Sequence, residues 1–143
     1  MTLKNTENNA IINMKSYRRT CSEQDKSELS CGGNYYIKDG KYYITYIEEE
    51  GTRVVIKASA DSVTVRRMGH FSAVMEYETG RETEFMYRTP YGAIPMQINT
   101  HDVVNRLGKN GGGLKFSYSL SSGGGVTENK IKLEVKKYED EKN

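Results

Sequence analysis

The sequence predicts an all-β, single-domain, up-and-down meander barrel of about eight to ten antiparallel strands. Three observations carry this. Turn signals recur at a nearly constant interval along 143 residues; the stretches between them alternate apolar and polar with period two; and no segment shows the 3.6-residue repeat of a helix. A meander with one apolar face per strand must cover that face. Without helices, closure into a barrel or folding into a two-layer sandwich does so, and the barrel is favoured because an up-and-down chain closes without crossing connections.

The turns set the elements in order. Strands over 9–20 and 28–38 precede the Asp39-Gly40 turn; 41–49 runs to Glu50-Gly51, 52–59 to Ala60-Asp61, and 62–68 to Met68-Gly69. Strands 71–78 and 81–89 flank Thr79-Gly80, and 93–107 follows the TPYG turn at 89–92. The last two, 113–121 and 126–137, lie either side of SSGGG at 121–125. Alternation is clearest here: Leu114, Phe116, Tyr118 and Leu120 share one face, and Ile131, Leu133 and Val135 oppose Lys130, Lys132, Glu134 and Lys136. The domain is expected over 9–138, with residues 1–8 and 139–143 as frayed polar ends. The glycine runs at 111–113 and 123–125 read as flexible turns, since no Lys-Ser/Thr or helix start follows them.

Composition sets the function classes aside. The 21 basic and 19 acidic residues leave a net charge of +2 with signs alternating along the chain, which disfavours a nucleic-acid face built from clustered Lys and Arg. No apolar stretch has the length of a membrane helix or a signal peptide, so no membrane association and a cytoplasmic location are expected. Cys21 and Cys31 stand at no metal-ligand spacing and read as free thiols. His70 and His101 read as surface histidines, no nucleophile elbow is present, and neither a cofactor nor a metal is expected. The protein is therefore read as a non-enzyme.

Turn lengths predict register. A three-residue loop at 49–51 sets Tyr46, Ile44 and Tyr42 opposite Val54, Ile56 and Ala58. A two-residue turn at 60–61 sets Val54, Ile56 and Ala58 opposite Arg67, Val65 and Val63. A three-residue loop at 68–70 then pairs Arg67 with Phe71, Val65 with Ala73 and Val63 with Met75, and the turn at Gly80 brings Phe71 near Thr89, Ala73 near Tyr87 and Met75 near Phe85. Along these rows Tyr46, Glu48, Arg67, Tyr87 and Thr89 all point inward near one end, while Ile44, Val63, Met75 and Phe85 line the other. An inward Arg67 requires a partner, and Glu48 is the nearest candidate. Either these groups form a satisfied plug, or they anchor the head of an amphiphilic or anionic small molecule whose body lies deeper in the barrel.

The runs YYITYIEEEGT at 42–52, RMG at 67–69, MEYETG at 75–80, YRTPYGAIPMQINT at 87–100 and YSL at 118–120 resemble the YwiB-like family of small bacterial proteins. The similarity spans roughly residues 30–135. It implies a calycin-like, lipocalin-type barrel in a bacterial cytosol and supplies no reaction. Counterparts of Tyr46, Glu48, Arg67, Gly69, Tyr87, Thr89, Pro90, Gly92 and Thr100 belong to that family's pattern, which overlaps the inward polar set. The first 27 residues fit less well, and Cys21 and Cys31 are peculiar to this chain.

Two exterior features support the alternative of a protein-interaction or single-stranded nucleic-acid module. Tyr35 or Tyr36, with Tyr43, interleaves with Lys38, Lys41, Lys57 and Arg66. Ile47, Val55, Val74 and Met86 form an outer apolar band that would suit a homodimer interface.

Overall fold

In the computed structural model, which describes residues 8–138, every regular element is a strand. They are β1 (Ala10–Arg19), β2 (Gln24–Lys38), β3 (Lys41–Ile47), β4 (Arg53–Ala58), β5 (Ser62–Met68), β6 (Ala73–Glu78), β7 (Glu82–Thr89), β8 (Gly92–Gly108), β9 (Gly111–Ser122) and β10 (Gly125–Lys137). The expected meander holds. Each strand pairs antiparallel with its chain neighbours except across β6–β7, and β1 pairs with β10 to join the first and last strands. The ring is nearly closed: between β6 and β7 the ladder reduces to the bridge Ser72–Arg88, supported by Thr83 Oγ1 donating to the Glu76 carbonyl at 2.6 Å. The frayed ends expected at 1–8 and 139–143 lie, except for Asn8, outside the described residues.

Strand β2 is the corner of the barrel. Its first part pairs with β1 from Gln24 to Gly33, and its second part pairs with β3 from Asn34 to Lys38. Gly33 makes that switch feasible, because a Cβ there would collide with the Thr45 carbonyl and with Ile12.

The registers inferred for β3, β4 and β5 are those observed: Ile44 faces Ile56, Val54 faces Arg67 and Ala58 faces Val63. The β5–β6 pairing differs by two residues. Arg67 faces Ala73, Val65 faces Met75 and Val63 faces Tyr77, because five residues, 68–72, lie between the last pair rather than the three at 68–70. The Ser72 side chain holds this longer turn, accepting from Gly69 N at 3.3 Å and donating to Gly69 O at 3.1 Å. A two-residue slip keeps the inward parity but moves Met75 one row toward the Arg67 end.

A bulge at Thr100/Asp102 resets parity along β8, so Ile98 and Thr100 point inward before it and Val103 and Leu107 after it. The first glycine run is a strand rather than a flexible turn. Gly111 and Gly112 have φ of 120° and 137°, and a Cβ on either would strike the backbone of Val135 or of Arg106.

One end of the barrel is solid. Ala10, Ile12, Ile44, Ala58 and Ile98 are fully buried there with Val63 and Leu114 beside them, and Tyr35 crosses the end to donate its hydroxyl to the Gly108 carbonyl at 2.6 Å. Burial pushes the Tyr35 phenol up to about 12. Asn105 Nδ2 donates to the Ser59 carbonyl at 2.7 Å and ties β8 to the β4–β5 turn. Tyr35 is therefore a core residue, and the exterior aromatic pair is Tyr36 on Tyr43, their rings parallel and 5.0 Å apart.

Candidate functional site

At the other end the inner face is hollow. A cavity of about 490 Å³ opens between the inward residues of eight strands. Its walls are apolar and aromatic: Met14, Leu29, Val65, Met75 and Ile131 with Tyr46, Tyr77, Phe116 and Tyr118. Tyr77 packs its ring 4.7 Å from both Phe116 and Tyr118, which gives the cavity an aromatic patch. Burial raises the pKa of Tyr46, Tyr77 and Tyr118, so all three face the cavity as neutral phenols.

The polar cluster inferred from parity sits at the rim. Arg67 reaches across β4 to Glu48 in a two-pronged pair, Nη1 to Oε2 at 3.0 Å and Nη2 to Oε1 at 2.7 Å. The planar fork of a guanidinium fits a carboxylate in this way, and both side chains are roughly three-quarters buried. The hydrogen bond that Arg67 donates to Glu48 outweighs desolvation and raises the Arg67 pKa further, with smaller contributions from Tyr46 and Tyr87. Glu48 is positioned by its turn: its N–H donates to Thr52 O and its carbonyl accepts from Gly51 N, both at 2.8 Å. Glu49 and Glu50 from the same turn also line the cavity. The Glu50 carboxyl is held below the ordinary range by its own backbone N–H and by Thr52, with a weaker contribution from Arg67.

The five residues expected at the site divide. Tyr46, Glu48 and Arg67 line one cavity. Tyr87 lies at the edge of the cluster, its ring stacked on Phe71 at 5.7 Å. Thr89 does not line the cavity: its hydroxyl accepts from Tyr91 N at 3.0 Å and donates to Gly92 O at 2.9 Å, so it holds the TPYG turn. Tyr77 was not legible in the sequence, because the two-residue slip in β5–β6 brings it to the cavity. Phe116, Tyr118 and Ile131 had the right parity, but nothing in the linear sequence says which strands face one another across the interior.

Thr100 is the buried exception among the described residues. Its Oγ1 has no hydrogen-bond partner, and it lies across the β8–β9 ladder from Tyr118. His101, the bulged residue, has more company than its spacing suggested. Its Nε2 lies 2.9 Å from Ser119 Oγ and 3.1 Å from Glu128 Oε1. This is not a nucleophilic relay, since serine and carboxylate meet the same ring nitrogen and Ser119 Oγ already donates to Glu128 Oε2 at 2.8 Å. Among the described residues, no group of three or more His, Cys, Asp or Glu side chains is placed to hold a metal ion, and no helix is long and apolar enough to cross a membrane. Cys21 is exposed and Cys31 partly buried, both unpaired with each other. On the outer wall Ile47, Val74 and Met86 are exposed and Val55 is half-buried.

Residues 12–135 match a family described as a domain of unknown function, DUF1934. The chain belongs to that family. A curated relative is the uncharacterised β-barrel protein YwiB of Bacillus subtilis strain 168, 25% identical over 115 residues that make up 78% of this chain and 81% of the relative. The crystal structure of the ywiB protein from Bacillus subtilis superposes with a TM-score of 0.84 at 21% identity, covering 92% of this chain and 93% of that one. The two proteins thus share the meander fold, and the family match over residues 12–135 bears out the YwiB-like resemblance.

Proposed function

We propose that this protein is a non-catalytic, cytoplasmic carrier that holds a small amphiphile in the hollow half of its barrel. The observation that carries the reading is the cavity itself. Its volume of about 490 Å³ suits a small organic molecule, and its apolar and aromatic walls end in a few oriented polar groups. The body of the ligand would lie against Met75, Ile131 and the Tyr77–Phe116–Tyr118 patch, and its head at Glu48, Glu50 and Arg67.

Rim electrostatics decide the head. The Arg67 charge is already matched by Glu48, and Glu49 and Glu50 add negative charge at the same opening. An anionic head, expected from Arg67 facing inward, would meet excess carboxylate. A neutral hydroxylated or a cationic head fits, with the phenol faces available to a quaternary ammonium.

Displacement of the neutral fluorophore N-phenyl-1-naphthylamine tests this. Decanol and decyltrimethylammonium should displace the probe from the full chain and decanoate should not. Absence of probe uptake would remove the carrier reading, and displacement by decanoate alone would reverse the head-group assignment.

A further inference from the structure

The outer wall formed by β1, β10, β9 and β8 concentrates positive charge that the net value of +2 conceals. Register places Lys15 opposite Lys132, and Lys132 opposite Lys115, so three ammonium groups share one row on three adjacent strands. Neighbouring strands are about 4.8 Å apart, and like charges directly opposite on a sheet destabilise it. Glu28 ends the row beyond Lys15, but its carboxylate is turned toward Lys26, 4.0 Å away. Among the described residues, no carboxylate lies within 4.0 Å of Lys15, Lys115, Lys130, Lys132 or Arg106. Lys15, Lys115, Lys132 and Arg106 outnumber Glu134 among the charged residues that line a groove of about 400 Å³, and the Glu134 carboxylate lies over Gly113.

The adjacent row is Lys26, Tyr17 and Lys130. Their ammonium groups lie 6.0 and 5.9 Å from the centre of the Tyr17 ring. All three line a second groove of about 580 Å³ together with Arg19 and His101, and its two carboxylates are engaged, Asp25 by Arg18 and Glu128 by His101.

We infer that this wall binds the backbone of a single-stranded nucleic acid, with phosphates on the Lys15–Lys132–Lys115 row and a base on Tyr17. A row of unpaired cations beside an aromatic ring is the pairing that single strands need, phosphate for the first and a base face for the second. The wall of a barrel is convex, so a rigid duplex would touch few of these cations while a flexible strand can follow the row. An acidic peptide would use the lysines but has no part for Tyr17. The exposed acids Glu76, Glu82 and Glu84 stand on β6 and β7, away from this wall, and repel a polyanion from that side. This inference is independent of the cavity and of the carrier reading.

The test is fluorescence anisotropy of a labelled twelve-nucleotide oligouridylate with the full chain at 50 and 200 mM KCl. Four phosphate contacts predict that affinity falls by about 50-fold between the two salts. Lys15→Gln/Lys115→Gln/Lys132→Gln should flatten that dependence to about threefold, as one remaining contact requires, while its melting temperature stays equal or rises. Tyr17→Ala should weaken RNA but leave polyglutamate titration unchanged. Lys38→Gln/Lys41→Gln/Lys57→Gln, beside the Tyr36–Tyr43 stack, should change neither. A wild-type chain with no salt-dependent binding overturns the inference. So does a folded triple variant that binds as before, or polyglutamate or phosphatidylglycerol vesicles that compete RNA off at equal or lower concentration.

Discussion

The two ends of the barrel follow the same inward-outward alternation, yet one is filled and the other is not. Strand length also differs around the ring. Strands β3 to β7 have six to eight residues, whereas β2, β8, β9 and β10 have 15, 17, 12 and 13. Where all ten strands overlap, opposing side chains meet and exclude water. The first part of β2 runs past β3 at the hollow end, and small hydroxyls line the cavity there, Ser16 opposite Ser27. Glu48, Glu50 and Arg67 stand where the short strands β3 and β5 stop.

Truncation of large side chains is the most forceful way to break that comparison. Ile44→Ala or Leu114→Ala, at the solid end, should cost about 2–5 kcal/mol in urea unfolding, since each leaves a void in packed surroundings. Met75→Ala or Ile131→Ala, whose side chains already border open space, should cost less than about 1.5 kcal/mol. Equal losses at both ends would mean that the hollow half collapses in solution.

The Glu48–Arg67 pair tests whether the rim is structural or only decorative. Glu48→Gln removes the carboxylate that matches a guanidinium held mostly out of water. The expected loss is about 1–2 kcal/mol, between the range of an exposed pair and that of a buried one. The same change should let decanoate compete for the cavity, because Arg67 regains an unmatched charge. Stability loss without any change in head-group preference would assign the pair to the fold alone.

Much of this was legible in the sequence. The turns marked all ten strands, and parity placed Tyr46, Glu48 and Arg67 together, because period-two alternation is a local property. What stayed hidden depends on contacts between distant segments. Five residues, 68–72, separate the last β5–β6 pair and are held by Ser72, which a count of turn signals cannot distinguish from three, and this moved Met75 and Tyr77. Thr89 matched the inward parity but is consumed by its own turn. Lys15, Lys115 and Lys132 form a row only because β10 lies between β1 and β9. Charge clustering created by topology leaves no trace in a linear scan.

A smaller effect should appear at alkaline pH. Tyr46, Tyr77 and Tyr118 at the hollow end have pKa values raised first of all by burial. The unfolded chain therefore releases phenolic protons at lower pH than the folded one. The stabilisation is complete below the unfolded value of about 10 and is lost as pH rises beyond it. Urea midpoints should be flat on this account up to about pH 9.5 and fall above it. Tyr46→Phe should make the fall shallower, and an unchanged slope in that variant would mean that the phenol is in contact with water.

The two thiols give the finest probe of the opening. Cys21 is exposed in the β1–β2 turn, while Cys31 is partly buried on β2 and packs against the core. Burial first, and the neighbouring Glu48 second, raise the Cys31 pKa and so reduce the thiolate that attacks a disulfide reagent. With a chromogenic aromatic disulfide at pH 8, Cys21 should react about tenfold faster than Cys31. Glu48→Gln should speed Cys31 alone, because it removes a negative charge without altering Cys21. Equal rates at the two cysteines would show that neither burial nor Glu48 shields Cys31 in solution, and that β2 is looser beside the Glu48–Arg67 pair than its packing against the core implies.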